Sequence, residues 1–282
     1  MRLHKFDSID KFWDKTQDYL LQNEAENNVL LGVVQTLRSN SDRYPDPPYL
    51  AVVEINDEIV ATAIRTPPYK LLLSKASNLE ALTLIAQDLD REQLPGVMGL
   101  VPDVETFLQA WQKLTGQSHQ LSFVNKIHQI GTVQTVAAIS GYLRLATERD
   151  RALLMEWIPA FIAEIGETMG QDLDRIVDNR LKTQSTYIWE DGLPVSLAAG
   201  RQRSPTVGLI GSVYTPPAHR RKGYATACVA ALSQKLLAEG CDRCFLLTDS
   251  ANPTSNHIYQ EIGYVPICDW HEYSFSSPDL RS

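Results

Sequence analysis

Apolar positions along the chain alternate between two spacings, one near two residues and one near three and a half. From Ser8 to Leu37 the chain reads as helical, with Phe12, Trp13, Leu20 and Leu21 supplying apolar faces. Residues 39–48 (SNSDRYPDPP) are polar and proline-rich and predict a loop. Tyr49–Ile55 and Glu58–Arg65 flank Asn56-Asp57, a hairpin pattern. A short strand, Tyr69–Leu73, follows a Pro-Pro break. Leu79, Leu82, Ile85, Ala86 and Leu89 then share one face of an amphipathic helix. Val97–Val101 reads as a buried strand. Pro102–Leu114 reads as a helix with proline tolerated in its first turn, and Ser122–Ile130 as a strand.

From Gly141 the order begins again. Gly141–Leu145 is a strand. Thr147 can cap a helix reaching about Ile165, which Pro159 is expected to kink or interrupt. Asp172–Thr183 is a helix. Ser185–Trp189 and Leu193–Gln202 form a hairpin around Asp191-Gly192. A central strand, Val207–Tyr214, leads to a long helix opening near Gly223. Cys244–Thr248 is a further strand, and a helix follows from Ser255. The halves rhyme in element order, not in residues. The expectation is an α/β (α+β) chain of two domains, 1–131 and 132–282, with the join near Thr132–Ile139 and strands free to be exchanged across it.

At 282 residues the chain has room for two ordinary domains. Its formal net charge of −8 argues against nonspecific nucleic-acid binding and confines basic character to single loops. No run reaches the length that spans a bilayer, and MRLHKFDSIDKF lacks the apolar core of a signal peptide, so cytoplasmic residence is expected. Cys241-x-x-Cys244 has no second ligand pair, so no metal is expected, and Cys228 and Cys268 join them as reduced thiols.

The informative chemistry lies in Leu209–Glu239. A strand, a Pro-Pro turn and the run Arg220-Arg221-Lys222-Gly223-Tyr224-Ala225 precede the long helix. A helix start exposes N–H groups without intrahelical partners at a positive dipole end, which suits an anion such as pyrophosphate. Gly223 is expected to let the anion approach the main chain, as is small Ala225, and the three basic side chains add charge. No Gly-Lys-(Ser/Thr) follows, which removes a P-loop hydrolase.

Arg220-x-x-Gly223-x-Ala225 resembles the (Gln/Arg)-x-x-Gly-x-(Gly/Ala) signature of the GNAT superfamily of acetyl-CoA-dependent N-acetyltransferases. The downstream Asn252-Pro-Thr-Ser-Asn256-His-Ile-Tyr259 and Gly263-Tyr264 resemble that family's later segment. The resemblance implies tandem GNAT-like mixed sheets flanked by helices, with a splayed central strand and acetyl-CoA in the C-terminal half. The first half carries Leu73-Ser74-Lys75-Ala76-Ser77-Asn78 where the signature would fall, with no glycine, and is expected to have lost the cradle.

By the same resemblance, Val213 and Tyr214 offer backbone groups to the pantetheine arm, Val213 serving also as oxyanion donor. Arg220, Arg221, Lys222, Gly223, Tyr224, Ala225 and Thr226 surround the pyrophosphate. Asn252 and Asn256 reach the cofactor. Tyr259 is the expected general acid, since a phenol near pKa 10 is protonated at neutral pH. The central strand holds no carboxylate, so the base is open among Glu190, Asp249, His257 and a water chain, with His219 set aside as phosphate-side or exposed. A small-molecule or peptide amine is the expected acceptor. Trp157, Phe161, Met169, Trp189 and Trp270 are candidates for an apolar acceptor pocket, and Glu164, Glu167, Asp172 and Asp174 for an acidic one. The chain is expected to be a monomer or homodimer without nucleic acid or membrane. The competing expectation is an acyl-CoA-binding regulatory module without turnover.

Overall fold

The computed structural model describes residues 1–39, 44, 46–166, 172–204 and 206–276. Half of the expected 39–48 loop, and Glu167 and Met169, lie outside the described residues. The first half of the sequence runs β1 (Arg2–Lys5), α1 (Ile9–Gln22), α2 (Asn28–Ser39), β2 (Tyr49–Ile55), β3 (Glu58–Arg65), β4 (Leu71–Leu73), α3 (Glu80–Asp88), β5 (Gly96–Leu100), α4 (Val101–Thr115) and β6 (His119–Ile130). The second repeats that order: β7 (Tyr142–Leu145), α5 (Arg151–Glu164), α6 (Leu173–Lys182), β8 (Thr186–Glu190), β9 (Pro194–Gln202), β10 (Val207–Tyr214), α7 (Tyr224–Ala238), β11 (Arg243–Asp249), α8 (Pro253–Ile262) and β12 (Val265–Phe275).

Pairing repeats as well. β1 to β4 are antiparallel neighbours and β4 is parallel to β5. β7 to β10 are antiparallel neighbours and β10 is parallel to β11. The closing strands are exchanged: β12 pairs antiparallel with β5, from Trp270↔Leu100 to Ser274↔Gly96, while β6 is a neighbour of β11.

Two compact units result. One holds residues 1–127, 249–251 and the described residues after 266; the other holds 128–248 and 252–266. The division is therefore not a single cut at residue 132. The exchange that the sequence left open does occur: β6 and β12 each contribute to both units. Hydrophobic alternation could not show which strands are exchanged, because the pattern along a strand reports which face is covered and not which neighbour it pairs with.

The first core packs Leu82, Ile85, Phe107 and Trp111 of α3 and α4 on β2 to β5. The second unit has two cores. One lies under α7 and α8 (Cys228, Leu232, Leu246, Ile262), the other under α5 and α6 (Leu154, Trp157, Ile158, Val177). Each fully buried side chain of this size contributes about 1.5–3 kcal/mol.

Three local expectations change. The helical stretch 8–37 is divided into α1 and α2, with Asn27 donating to the Leu20 carbonyl (3.2 Å) and Asn28 to that of Ala25 (2.5 Å) at the break. Pro159 does not interrupt α5: buried Leu154, Trp157 and Ile158 before it and half-buried Phe161 and Ile162 after it pack in one core. β1 (RLHK), with Leu3 as its one apolar residue, is too short and polar to give a strand signal; its pairing with β2 makes it a strand.

Candidate cofactor site at the start of α7

β10 breaks its own ladder where the site begins. Its parallel register with β11 ends at Ile210↔Leu246, although β10 runs on to Tyr214 and β11 to Asp249. On the other side the register with β9 shifts between Gly211 and Tyr214. Ser212 inside the shift has φ +47°, a left-handed conformation that costs a side-chain-bearing residue on the order of 1 kcal/mol. The Arg180 guanidinium donates to Ser212 Oγ at 3.0 Å and braces it. Beyond Ile210 the two strands part, and the main-chain edge of residues 211–214 faces a gap in the ladder. Val213 packs its side chain into the α7 core. Tyr214 turns to the opposite face, its ring edge-on to Trp157 at 6.0 Å.

The chain then turns through a short 3-10 segment, Pro217–His219, into the basic loop. Arg221 has φ +59° and Gly223 φ +80°. Left-handed residues in a loop turn successive N–H groups to one side, a shape that takes anions. Gly223 is the N-cap of α7 and supplies no capping side chain; the helical ladder starts with Ala227 N–H to the Gly223 carbonyl at 2.9 Å. The N–H groups of Tyr224, Ala225 and Thr226 precede that ladder, and α7 has no acidic residue in its first turn.

Two sequence expectations about this loop are corrected. A Cβ on Gly223 would meet Ile139 Cδ1 at 2.8 Å, so the space beside Gly223 is occupied by Ile139 rather than left to an anion. The glycine is required by its positive φ and by that contact. Arg220 is not a free phosphate counter-charge: its Nε donates to the Thr215 carbonyl at 2.9 Å and its Nη2 to Glu164 at 2.6 Å. Arg221 and Lys222 are exposed.

The corresponding loop of the first unit is filled by its own chain. Lys75 N–H donates to Asn27 Oδ1 (2.8 Å), Ala76 N–H to Asp103 Oδ1 (3.3 Å) and Ser77 N–H to the Val60 carbonyl (2.8 Å). Asn78 Oδ1 accepts from Glu80 N–H at 2.9 Å at the start of α3, which carries Glu80 in its first turn. A carboxylate and an amide stand where an anion would have to go. Asp103 is buried, and that burial lifts its carboxyl to about 7.

Tyr259 lies on α8 and packs in the same core as Val213, Tyr224 and Ala227, its ring edge-on to Tyr264 at 5.9 Å. Burial alone pushes its phenol up to about 12. Asn252 has a structural duty, since its Oδ1 caps α8 by accepting from Ser255 N–H at 3.1 Å. Asn256 is half-buried one turn before Tyr259.

The candidate bases are hydrogen-bonded or exposed. Glu190 accepts from Arg144 Nε (2.5 Å) and Tyr142 Oη (3.0 Å), and those donors, Arg144 foremost, hold its carboxyl below the usual range. Asp249 accepts from Ala251 N–H at 2.8 Å and falls with the first unit. His257 is exposed and His219 half-exposed. The acidic pocket does not assemble: Glu164 holds Arg220, Asp172 caps α6, and Asp174 faces Arg151 at 3.8 Å. Of the aromatic candidates, Trp157 belongs to the α5 core, Phe161 packs against it, Trp189 donates to the Ser140 carbonyl at 2.9 Å, and Trp270 falls with the first unit. Two clefts of about 520 and 500 Å³ beside β7 and β8 include no residue of the loop and not Tyr259.

Sequence reasoning missed Asp191, whose Oδ2 accepts from both Ser140 Oγ and Tyr224 Oη at 2.7 Å. It also missed Arg180 and Ile139. Asp191 was visible only as a turn residue, and nothing in a single sequence pairs it with Tyr224. Cys228, Cys241 and Cys244 are buried; burial raises all three thiols, Cys228 and Cys244 to about 12.

Repeated element order, a parted central strand and an uncapped helix start define the class: a tandem chain with the GNAT fold. Within it, residues 172–274 match the family model described as FR47-like protein. The fold is shared by an acetyltransferase from the GNAT family of Colwellia psychrerythraea (13% identity, 98% of this chain and 100% of that one, TM-score 0.58). It is shared by a GCN5-related N-acetyltransferase from Sphaerobacter thermophilus (13%, 97% and 95%, TM-score 0.63). A tandem GNAT protein from the clavulanic acid biosynthesis pathway also aligns over 99% of both chains, at 10% identity and TM-score 0.57. No curated protein matches the chain. The sequence-level recognition of the GNAT superfamily thus holds for fold and for tandem order.

Proposed function

We propose that the second unit is an N-acetyltransferase that moves an acetyl group from acetyl-CoA to a primary amine of a small molecule or peptide. The observation that carries this is the uncapped start of α7 behind the parted end of β10. The residues fit a diphosphate-bearing thioester. The N–H groups of Tyr224, Ala225 and Thr226 receive the diphosphate, with Arg221 and Lys222 as mobile counter-charges. The open edge of residues 211–214 receives the amide-bearing arm as an added strand. The amide of Val213 stabilises the developing oxyanion, a role whose loss costs about 10²–10³ in rate.

In the transfer, the amine lone pair forms the C–N bond as the C–S bond breaks. Tyr259 donates its proton to the departing sulfur. A phenol at about 12 is fully protonated at neutral pH, but transfer to a thiolate, whose thiol titrates near 8.5, is about 3.5 units or about 5 kcal/mol uphill, so it is completed by the proton released from the ammonium returning to the Tyr259 phenolate. The ammonium proton leaves through water, since Glu190 is held by Arg144. One coenzyme binds per chain, because the first-unit loop is capped by Asn27, Asp103 and Asn78.

Free thiol release from acetyl-CoA with a panel of primary amines tests the reading. Release above the amine-free rate is expected, and a Tyr259→Phe enzyme should retain coenzyme affinity while turning over about 10²-fold more slowly. A second reading, a module that binds acyl-CoA without turnover, is favoured by one observation: every candidate base is ion-paired, hydrogen-bonded in a turn or exposed. Coenzyme binding with no thiol release for any amine would select it.

A further inference from the structure

Residues 132–141 join the two halves of the sequence and form neither helix nor strand. They nevertheless have a strict pattern: Val133, Val136 and Ile139 are half-buried and every residue between them is exposed. A three-residue period is that of an extended polyproline-like chain laying one edge on a surface. The three apolar residues pack on the α7–α8 core, the cluster that contains Cys228, Tyr259 and Tyr264.

Both ends of this strap meet a left-handed glycine. At one end Gln134 N–H donates to the Ile262 carbonyl at 2.9 Å, and a Cβ on Gly263 (φ +106°) would meet Gln134 Cγ at 2.8 Å. At the other, Ile139 Cδ1 takes the place a Cβ on Gly223 (φ +80°) would need. The next residue, Ser140, is fixed twice, by Trp189 Nε1 to its carbonyl (2.9 Å) and by its Oγ to Asp191 (2.7 Å). The same Asp191 oxygen holds Tyr224 Oη at 2.7 Å. Gly223 is thus bracketed: Ile139 lies against its Cα, and its chain neighbour Tyr224 is tied to the strap through Asp191.

Resting on the diphosphate reading of the α7 loop, we propose that Ile139 and Asp191 are positioning residues for the coenzyme, clamping Gly223 in the conformation that aims the α7 N–H groups. Glycine populates left- and right-handed backbone about equally, so its conformation at the N-cap must be selected from outside. The N-cap has no side chain to do so. The strap supplies the selection on one side and the Asp191–Tyr224 bond on the other. Neither residue touches the diphosphate.

The test compares two acyl donors on the full chain. Acetyl-CoA carries the diphosphate; acetyl-pantetheine lacks it. Ile139→Ala and Asp191→Ala should each weaken coenzyme A binding in calorimetry about tenfold, or about 1.4 kcal/mol, and the double variant should lose less than the sum. With acetyl-pantetheine as donor, kcat/KM should stay at the wild-type value for all three. The milder Ile139→Val, which keeps most of the contact, should lose two- to threefold and serves if Ile139→Ala does not fold. Unchanged coenzyme A affinity in the folded variants overturns the clamp. So does an equal fall with both donors, which marks general loosening of the unit. A wild-type protein that binds no coenzyme A overturns the diphosphate reading and the clamp together, a result distinct from both.

Discussion

At the scale of single residues, the loop shows how little of a motif's function follows from residue type. Three consecutive cations read alike in the sequence, yet Arg220 ties Thr215 and Glu164 together while Arg221 and Lys222 stay in solvent. Replacing Lys222 by Ala should raise the KM for acetyl-CoA a few-fold without moving the melting temperature. Arg220→Ala should do the reverse: a lower melting temperature, with any loss of coenzyme affinity following the loop's disorder. The exposed Arg220–Glu164 pair itself contributes no more than about 1 kcal/mol, so a modest shift is expected. Tyr259 makes a prediction about pH. Burial raises its phenol, so the protonated form persists to about 12, and the alkaline limb of a rate profile should not belong to it. Tyr259→Phe should lower turnover and leave the shape of the profile between pH 6 and about 10 unchanged.

At the scale of elements, helices and hairpins with a clean period were legible, and so was the helix start after Gly223, because spacing and turn chemistry are local. The helix at Leu79, the hairpin at Asn56-Asp57 and the strand Val207–Tyr214 stand where the pattern put them. What escaped depends on partners distant in sequence: the break between α1 and α2 at Asn27 and Asn28, the capture of Glu190 by Arg144, and the strap whose period of three matches neither helix nor strand. The first-unit loop is the sharpest case. A missing glycine suggested a lost cradle; only the structure shows a buried carboxylate in its place. That carboxylate has a consequence for stability. The folded state keeps Asp103 protonated up to about 7, while the unfolded chain loses that proton near 3.8, so folding is favoured below 3.8 and that contribution fades as pH rises through 7. Asp103→Asn keeps an oxygen for Ala76 N–H and removes the charge. It should flatten the decline in unfolding free energy between pH 4 and 7 measured by urea titration.

At the scale of the whole molecule, the exchange of closing strands makes each unit depend on chain from the other half of the sequence. Trp270 is 1% exposed on β12, and Phe275 stacks on Trp111 of α4 with centroids 5.5 Å apart. A chain ending at residue 266 should therefore lose the cooperative unfolding of the first unit, seen as protease cleavage within residues 1–127; an intact 1–127 fragment would contradict the exchange. Duplicated order with one filled and one open loop gives the central claim, that a single diphosphate-binding start of helix exists per chain, at α7. Isothermal titration of acetyl-CoA into the full-length protein tests it most directly. One site per chain is the predicted result, lost on replacing Gly223 by Glu; a stoichiometry of two, or no heat at millimolar coenzyme from folded protein, would contradict it.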